Sequence, residues 1–254
     1  MQIHVDSPNP NDAEGDFCVI VSRLFMVAAC VGICMACSLS HGGEKQIIFH
    51  DDFNRDDANA VGNEWSSRGA AVLKDNAALF KVKEEEFRPR IKRTFPVQKQ
   101  GKFTVSFKMD WLRTSEGTWS FHMQLGDSTK IPRLLIYNRD LAKGIGVNLV
   151  WGGGELVNFQ PAGSFGYSVG GKFKPLFVIN DMKNQQTVVE KAVVTIDVDV
   201  DSGTYAVTFN GKTYPDLPFD NKGPIDTIRF ITNGCSATGF SKSSIDDVVI
   251  SKDK

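Results

Sequence analysis

Apolar and polar residues alternate at every second position along much of this chain after residue 100. Residues 194–200 read Val-Thr-Ile-Asp-Val-Asp-Val, and residues 205–209 read Tyr-Ala-Val-Thr-Phe. Successive side chains of a β-strand point to opposite faces, so each run predicts a strand with one buried and one solvated face. No segment after residue 40 sustains the 3.6-residue apolar period of a helix. The pattern therefore predicts an all-β domain.

Turn residues between these runs predict how the strands connect. Asp-Ser-Gly at 201–203 separates the first two runs, and Asn-Gly at 210–211 is a strong type I′ turn signal into a further short strand. Residues 103–111 and 119–125 alternate in the same way, and we expect them to pair as a hairpin with their apolar faces on the same side. Many short strands at regular spacing indicate a sandwich or a barrel.

The first and last strand-like segments after residue 40 carry the most specific pattern. Residues 47–55 read Ile-Ile-Phe-His-Asp-Asp-Phe-Asn-Arg, with Gly-Asn-Glu-Trp at 62–65, and residues 244–251 read Ser-Ile-Asp-Asp-Val-Val-Ile-Ser. This pair resembles the terminal strands of the concanavalin A-like superfamily, which includes laminin-G domains, legume lectins and laminarinases. The resemblance covers residues 46–252. It implies a two-sheet antiparallel jelly-roll sandwich whose first and last strands lie together in one sheet.

The opening segment of the chain reads as a secretory leader. Arg23 ends an n-region, and residues 24–36 form an apolar stretch of signal-peptide length that is too short to span a bilayer comfortably. Met-Ala-Cys at 35–37 resembles a bacterial lipobox, which implies lipidation of Cys37. Val-Ala-Ala-Cys at 27–30 fits a lipobox better by residue type, but it would leave only a few apolar residues before cleavage. Ordinary cleavage after residue 36 or residue 40 is the other alternative. We therefore expect an exported protein that is periplasmic, anchored in the outer membrane or extracellular, with membrane contact only through a lipid on Cys37.

The length of the chain limits the number of domains, and its net charge limits the class of partner. We expect residues 1–40 to be the leader and residues 46–254 to be the jelly-roll domain, because roughly 200 residues suit one sandwich. The formal net charge of −1 gives no electrostatic case for nucleic acid as a partner. A basic run at 88–93 follows three glutamates at 84–86. Such mixed charge is more typical of a solvated strand edge than of a polyanion site.

A candidate ligand face follows from the expected hairpin, although the catalytic motifs of the superfamily are missing. Laminarinase-type hydrolases carry Glu-x-Asp-x-x-Glu on one strand, and no such motif occurs. Alginate-lyase-like jelly rolls carry Gln-x-His, whereas residues 122–124 read His-Met-Gln. Alternation still places the polar residues of both expected strands on one face, with an arginine and a tyrosine on the next candidate strand. The candidate face comprises Lys108, Asp110, His122, Gln124, Arg133 and Tyr137.

Trp151 is a second candidate contact for a ligand. It precedes three glycines, and a tryptophan in a glycine-rich loop can offer the face of its ring to a sugar. The alternative is that the same ring closes one end of the sandwich.

A structural calcium ion is implied by the resemblance. Related jelly rolls hold Ca²⁺ between the first and last strands with an acidic residue from each strand. Asp51 or Asp52 and Asp246 or Asp247 match these positions, and we assign the ion to Asp52 and Asp247. Calcium takes six to eight oxygen ligands, which two carboxylates, backbone carbonyls and water can supply. The alternative is that these aspartates only cap the ends of strands.

The sequence therefore favours a carbohydrate-binding or surface-interaction module with a glycan or polysaccharide as its partner. The missing carboxylate motif favours binding over hydrolysis. One alternative is a polysaccharide lyase or glycoside hydrolase with a non-standard active site around His122. The other is a structural surface protein.

Overall fold

The computed structural model describes residues 44–82, 89–114, 118–129, 145–151, 164–170, 172–178, 186–220, 223–235 and 241–254. These residues belong to one compact unit, residues 42–254. Every regular element in these ranges is a β-strand. No helix long and apolar enough to cross a membrane occurs among them.

Fifteen strands in the described ranges form two antiparallel sheets. Sheet A has the order β13-β12-β11-β6-β15-β4-β3, with β1 also paired to β15, and sheet B has the order β10-β9-β8-β7-β14-β5-β2. The strands are β1 (Lys45–Asp51), β2 (Ser66–Arg68), β3 (Ala71–Lys74), β4 (Ala77–Val82), β5 (Arg90–Gln98), β6 (Lys102–Thr114), β7 (Thr118–Gly126), β8 (Ile145–Trp151), β9 (Ser164–Val169), β10 (Lys172–Val178), β11 (Gln186–Asp199), β12 (Thr204–Phe209), β13 (Lys212–Pro218), β14 (Ile225–Cys235) and β15 (Ser241–Asp253).

Several pairings agree with the sequence analysis. β11 and β12 form the expected hairpin, with Val194 opposite Phe209. Asn210 and Gly211 both have positive φ, 47° and 82°, as the type I′ turn into β13 requires. The first and last strands lie side by side, with Asp51 opposite Val248. The all-β, two-sheet antiparallel sandwich is thereby confirmed.

The predicted hairpin between residues 103–111 and 119–125 is wrong. β6 pairs with β11 and β15 in sheet A, whereas β7 pairs with β8 and β14 in sheet B. The apolar faces of both strands do point inward, and they meet across the sandwich rather than side by side. Phe230 of β14 joins them, because its ring lies 5.1 Å from that of Phe107 and 6.1 Å from that of Phe121. Alternation specifies which face of a strand is buried, but it does not specify the partner strand.

The most heavily hydrogen-bonded described carboxylate is Asp51, at the end of β1. It is 3% exposed. It accepts hydrogen bonds from the backbone N–H of Phe53 (2.9 Å), the guanidinium of Arg55 (2.7 and 3.2 Å), the amide of Asn63 (3.0 Å) and the indole N–H of Trp65 (2.7 Å). Arg55 also donates to the carbonyl oxygen of Val61, at 2.8 and 3.2 Å. These bonds fold residues 51–65 into a loop closed on one carboxylate, which we call the Asp51 hub.

The Asp51 hub also connects the two sheets. The ring of Trp65 lies 5.9 Å from Phe49 of β1 and 6.2 Å from Phe230 of β14. Phe49 packs in turn against the guanidinium of Arg93 on β5, at 4.7 Å. One tryptophan therefore hydrogen-bonds to the end of a sheet A strand while its ring packs on a sheet B strand. Burial raises the pKa of Asp51, but the hydrogen bonds from Arg55, Phe53, Asn63 and Trp65 outweigh it and hold the pKa below its usual value.

Asp51→Asn should destabilise the fold. The amide removes the charge that faces Arg55 and turns an NH2 group toward other donors. Breaking a buried pair costs about 3–5 kcal/mol, and we expect the lower end because Arg55 is partly exposed. Because the folded pKa is depressed, this contribution is complete above the unfolded pKa of about 4 and is lost as the pH falls through the folded pKa.

Urea unfolding at a series of pH values tests both statements. The difference in unfolding free energy between wild type and Asp51→Asn should be largest near neutral pH and should shrink below about pH 4. Asp253→Asn, at an exposed position of β15, is the matched control and should change stability by less than about 0.5 kcal/mol. A deficit in Asp51→Asn that does not depend on pH would contradict the role given to the charge.

Candidate functional site

The candidate ligand face predicted from the sequence is divided between the two sheets. Lys108 and Asp110 lie on β6 of sheet A, and His122 and Gln124 lie on β7 of sheet B. Each pair is on the outer face of its strand, because the intervening Met109 and Met123 are buried in the core. The outer faces of a two-sheet sandwich point away from each other, so the four side chains do not form one surface. The assignment of strand faces was correct, but the strand pairing was not.

The two candidate residues on sheet A, Lys108 and Asp110, belong to a charged cluster that includes the last strand. Asp247 of β15 accepts from Lys108 Nζ at 3.1 Å and lies 3.0 Å from His50 Nε2. The hydrogen bond from Lys108, and then that from His50, hold the pKa of Asp247 below its usual value. Asp110 accepts from the backbone N–H of Lys191 at 2.6 Å and from Ser244 at 3.2 Å. These carboxylates fasten β6 to β11 and β15, which is a structural role.

The calcium position lies beside this cluster. Asp247 has a positive φ of 51° at a register shift in β15, and Asp52 accepts from the backbone N–H of Asn54 at 3.0 Å. Within the described ranges, no group of three or more His, Cys, Asp or Glu side chains is arranged to hold a metal. The Asp247 carboxylate is already paired with two nitrogen groups. The arrangement therefore does not fit the oxygen-rich shell that Ca²⁺ takes. Calcium at Asp52 and Asp247 stays a prediction from the resemblance.

The two candidate residues on sheet B, His122 and Gln124, each belong to a hydrogen-bonded pair. Ser120 Oγ lies 2.8 Å from His122 Nε2 on the same face of β7. Gln124 Oε1 accepts from Arg229 Nε at 2.7 Å and also from Arg229 Nη2. Gln124 and Arg229 are opposite each other in the β7–β14 register and are 4% and 1% exposed. The outer face of sheet B therefore has polar side chains held in place by hydrogen bonds, and His122 is half-buried beside them.

Arg229 is the site residue that the sequence analysis missed. It lies between Ile228 and Phe230, which are buried on the inner face of β14. Alternation alone would have placed Arg229 on the opposite face from these two. Burial, followed by the charge of Arg90, lowers the pKa of Arg229 to about 10. The alternation in the sequence therefore predicts the face on which Arg229 lies. Its position next to Gln124 follows only from the register of β14 with β7.

Of the remaining candidate residues, Trp151 lies on a described strand. Trp151 ends β8 and lies opposite Phe121 and Phe165 in the register of sheet B. Arg133, Tyr137 and Cys37 lie outside the described residues. Their assignments stay predictions from the sequence.

Structural comparison defines the class of this fold. A sialidase aligns with 80% of this chain at a TM-score of 0.55 and 14% identity, and the aligned part is only 18% of the sialidase chain. A lectin from Bauhinia forficata in complex with GalNAc aligns with 82% of this chain and 97% of its own, at a TM-score of 0.52 and 10% identity. An uncharacterized protein from Mycobacterium paratuberculosis aligns with 80% of this chain and 99% of its own, at a TM-score of 0.50 and 11% identity.

The domain is accordingly a two-sheet antiparallel jelly-roll sandwich. No protein-family model matches the sequence, and no curated protein matches it significantly. At these identities the likeness establishes the architecture alone.

Gln124→Ala should cost about 1–3 kcal/mol of stability, because it leaves the buried Arg229 guanidinium without its Gln124 acceptor. This revises the sequence expectation, which treated Gln124 as exposed. Gln98→Ala on β5 is the matched control, because Gln98 bonds locally to the Pro96 carbonyl in an exposed setting. Chemical denaturation of both variants measures the difference. Equal, small effects would show that the Gln124–Arg229 pair contributes little.

The calcium prediction can be tested with melting curves. An ion at Asp52 and Asp247 must displace Lys108 and His50 from the Asp247 carboxylate. A ligand that binds only the folded state adds about 2.7 kcal/mol at a hundredfold excess over its dissociation constant, so an ion bound as the resemblance implies would raise Tm by several degrees at that excess. Lys108→Met removes one of the two partners of the carboxylate and should enlarge any rise. Melting that is indifferent to calcium and to chelator in both proteins would reject the site.

Proposed function

We propose that this protein is a carbohydrate-binding module that holds its glycan on the outer face of sheet B. The observation that carries the proposal is the half-buried pair Ser120–His122 on that face, with the buried Gln124–Arg229 pair two residues further along β7. Sugars are recognised by hydrogen bonds to hydroxyl groups, and donors already fixed in place lose little conformational entropy on binding. The Bauhinia forficata lectin, of the same architecture, was solved in complex with GalNAc.

The outer face of sheet A is a weaker candidate for the same role. Its Lys108 and Asp247 neutralise each other, and Asp110 is committed to a backbone N–H. Opposite charges that are already paired must separate before they bind a ligand, so their net gain is small. On the sheet B face the half-buried His122 imidazole bonds to a neutral hydroxyl, that of Ser120, and not to an opposite charge.

His122→Ala should weaken glycan binding about tenfold, because a hydrogen bond contributes roughly 0.5–1.5 kcal/mol and 1.4 kcal/mol is a factor of ten. A glycan array identifies a ligand, and calorimetry then compares the variants. Lys108→Ala is the control, because the sequence placed Lys108 on the same face as His122 and the structure places it on the other sheet. Equal weakening in both variants, or in Lys108→Ala alone, would overturn the assignment of the face.

The enzymatic alternative rests on the same imidazole. His122 with Ser120 at 2.8 Å is a group that could take part in proton transfer. A lyase acting on uronate polymers would release unsaturated products that absorb in the ultraviolet. Product formation by the wild type that is lost in His122→Ala, with binding retained, would replace the binding proposal with a catalytic one.

Export is a separate part of the proposal and rests on the leader alone. Residues 1–40 would direct the chain out of the cytoplasm, and Cys37 would receive a lipid. Radioactive palmitate should label the wild type and not Cys37→Ala. Wild-type protein without label would reject the lipid anchor.

A further inference from the structure

The outer face of sheet B brings together cations from three strands. In the register of β2 with β5, Arg68 lies opposite Arg90 and Ser66 lies opposite Lys92. In the register of β14 with β5, Arg229 lies opposite Lys92. Residues directly opposite in an antiparallel pair point to the same face, and the intervening Ile91 and Phe230 are buried in the core. Arg68, Arg90, Lys92 and Arg229 thus share the outer face, and we call them the cationic row.

The cationic row contains two like-charged pairs in direct opposition, Arg68 with Arg90 and Lys92 with Arg229. Like charges directly opposite each other destabilise a sheet. The lowered pKa of Arg229, caused first by burial and then by the charge of Arg90, reflects the same crowding. The row is a local feature, because the formal net charge of the whole chain is −1.

The outer face of sheet A is arranged differently. There Lys108 pairs with Asp247 at 3.1 Å, and Lys102 lies 3.8 Å from Asp199. On the sheet B face, no carboxylate in the described ranges lies within salt-bridge distance of Arg68 or Lys92. Arg68 is exposed and Lys92 is half-buried, so both side chains can be reached by a ligand. Arg68 and Lys92 are therefore accessible cations without a described carboxylate beside them, and such charges attract a ligand of the opposite sign.

We propose that the cationic row selects a negatively charged polysaccharide, whose carboxylate or sulfate groups contact Arg68 and Lys92. This inference rests on the proposed function and specifies its ligand class. A guanidinium binds carboxylate or sulfate oxygens with paired, charge-assisted hydrogen bonds, and an ammonium adds a point charge. Arg229 is buried and contributes through its charge and through its hold on Gln124. The cationic row extends toward His122 through Ile231 of β14. Ile231 lies opposite Arg90 of β5 on one side and opposite His122 of β7 on the other.

The test measures binding of the full chain to polymers that differ in charge. Polygalacturonate supplies carboxylates, dextran sulfate supplies sulfates, dextran is neutral, and single-stranded DNA is an unrelated polyanion. At least one acidic polysaccharide should bind tenfold or more tightly than dextran, with affinity that falls as salt is added. The preferred polymer identifies which anionic group the row takes.

The double variant Arg68→Gln with Lys92→Gln should weaken acidic-polymer binding tenfold or more. Its Tm should hold or rise, because the change relieves the repulsion within the row. The matched control is Lys172→Gln with Lys174→Gln, which removes the same charge from exposed positions on β10 at the other edge of sheet B. It should retain most of the binding.

The outcomes separate the inference from the proposed function. Binding of neutral glycans alone would overturn the inference and leave the proposed function standing. Equal losses in both double variants, or equal binding of DNA, would show general attraction to polyanions and overturn the inference. Failure to bind any glycan, charged or neutral, would overturn both.

Discussion

The Asp51 carboxylate is the interaction on which much of the sandwich depends. A buried carboxylate is tolerated only where hydrogen bonds replace its hydration, and this one accepts from a backbone amide, a guanidinium, an amide side chain and an indole. Because those donors come from positions 53 to 65, the hub fixes the path of the chain from the end of β1. The ring of Trp65 then reaches Phe230 in the opposite sheet. The course of the first loop and one packing contact between the two sheets are therefore set at one place.

The two outer faces of the sandwich differ because their charges are organised differently. On sheet A, acidic side chains hold neighbouring strands together. Asp247 pairs with Lys108, and Asp110 accepts a hydrogen bond from the backbone N–H of Lys191. On sheet B, like charges face one another between β2, β5 and β14. A face whose charges are internally satisfied stabilises the fold, whereas one that concentrates a single sign is suited to attract a ligand of the other sign. This asymmetry makes the outer face of sheet B better suited than that of sheet A to bind a ligand.

Much of the architecture could be predicted from the sequence, since a strand's buried face is a local property. The runs around Phe107 and Phe121 were assigned their inner and outer faces correctly. Their pairing was not, because the partner of a strand depends on residues far away in sequence, here β11 and β15 for one and β14 for the other. Because strand partners could not be predicted, the expected ligand face combined residues from two different sheets. For the same reason the pairing of Arg229 with Gln124 was not predicted. Residues 51–65 were recognised as a pattern, but the pattern did not reveal that Asp51 serves as an acceptor for neighbouring donors.

The position of β15 has a consequence for how this chain reaches its native state. β15 lies inside sheet A, with β6 along one side and β4 followed by β1 along the other. Until those residues have left the ribosome, β6 has a bare edge, β1 has no strand to join and β4 pairs with β3 alone. The sheet therefore closes only after almost the whole domain has been made, through contacts between residues far apart in sequence, which fold slowly. During that interval the nascent chain exposes strand edges that could pair with other chains, so its need for chaperones should be greatest just before β15 emerges.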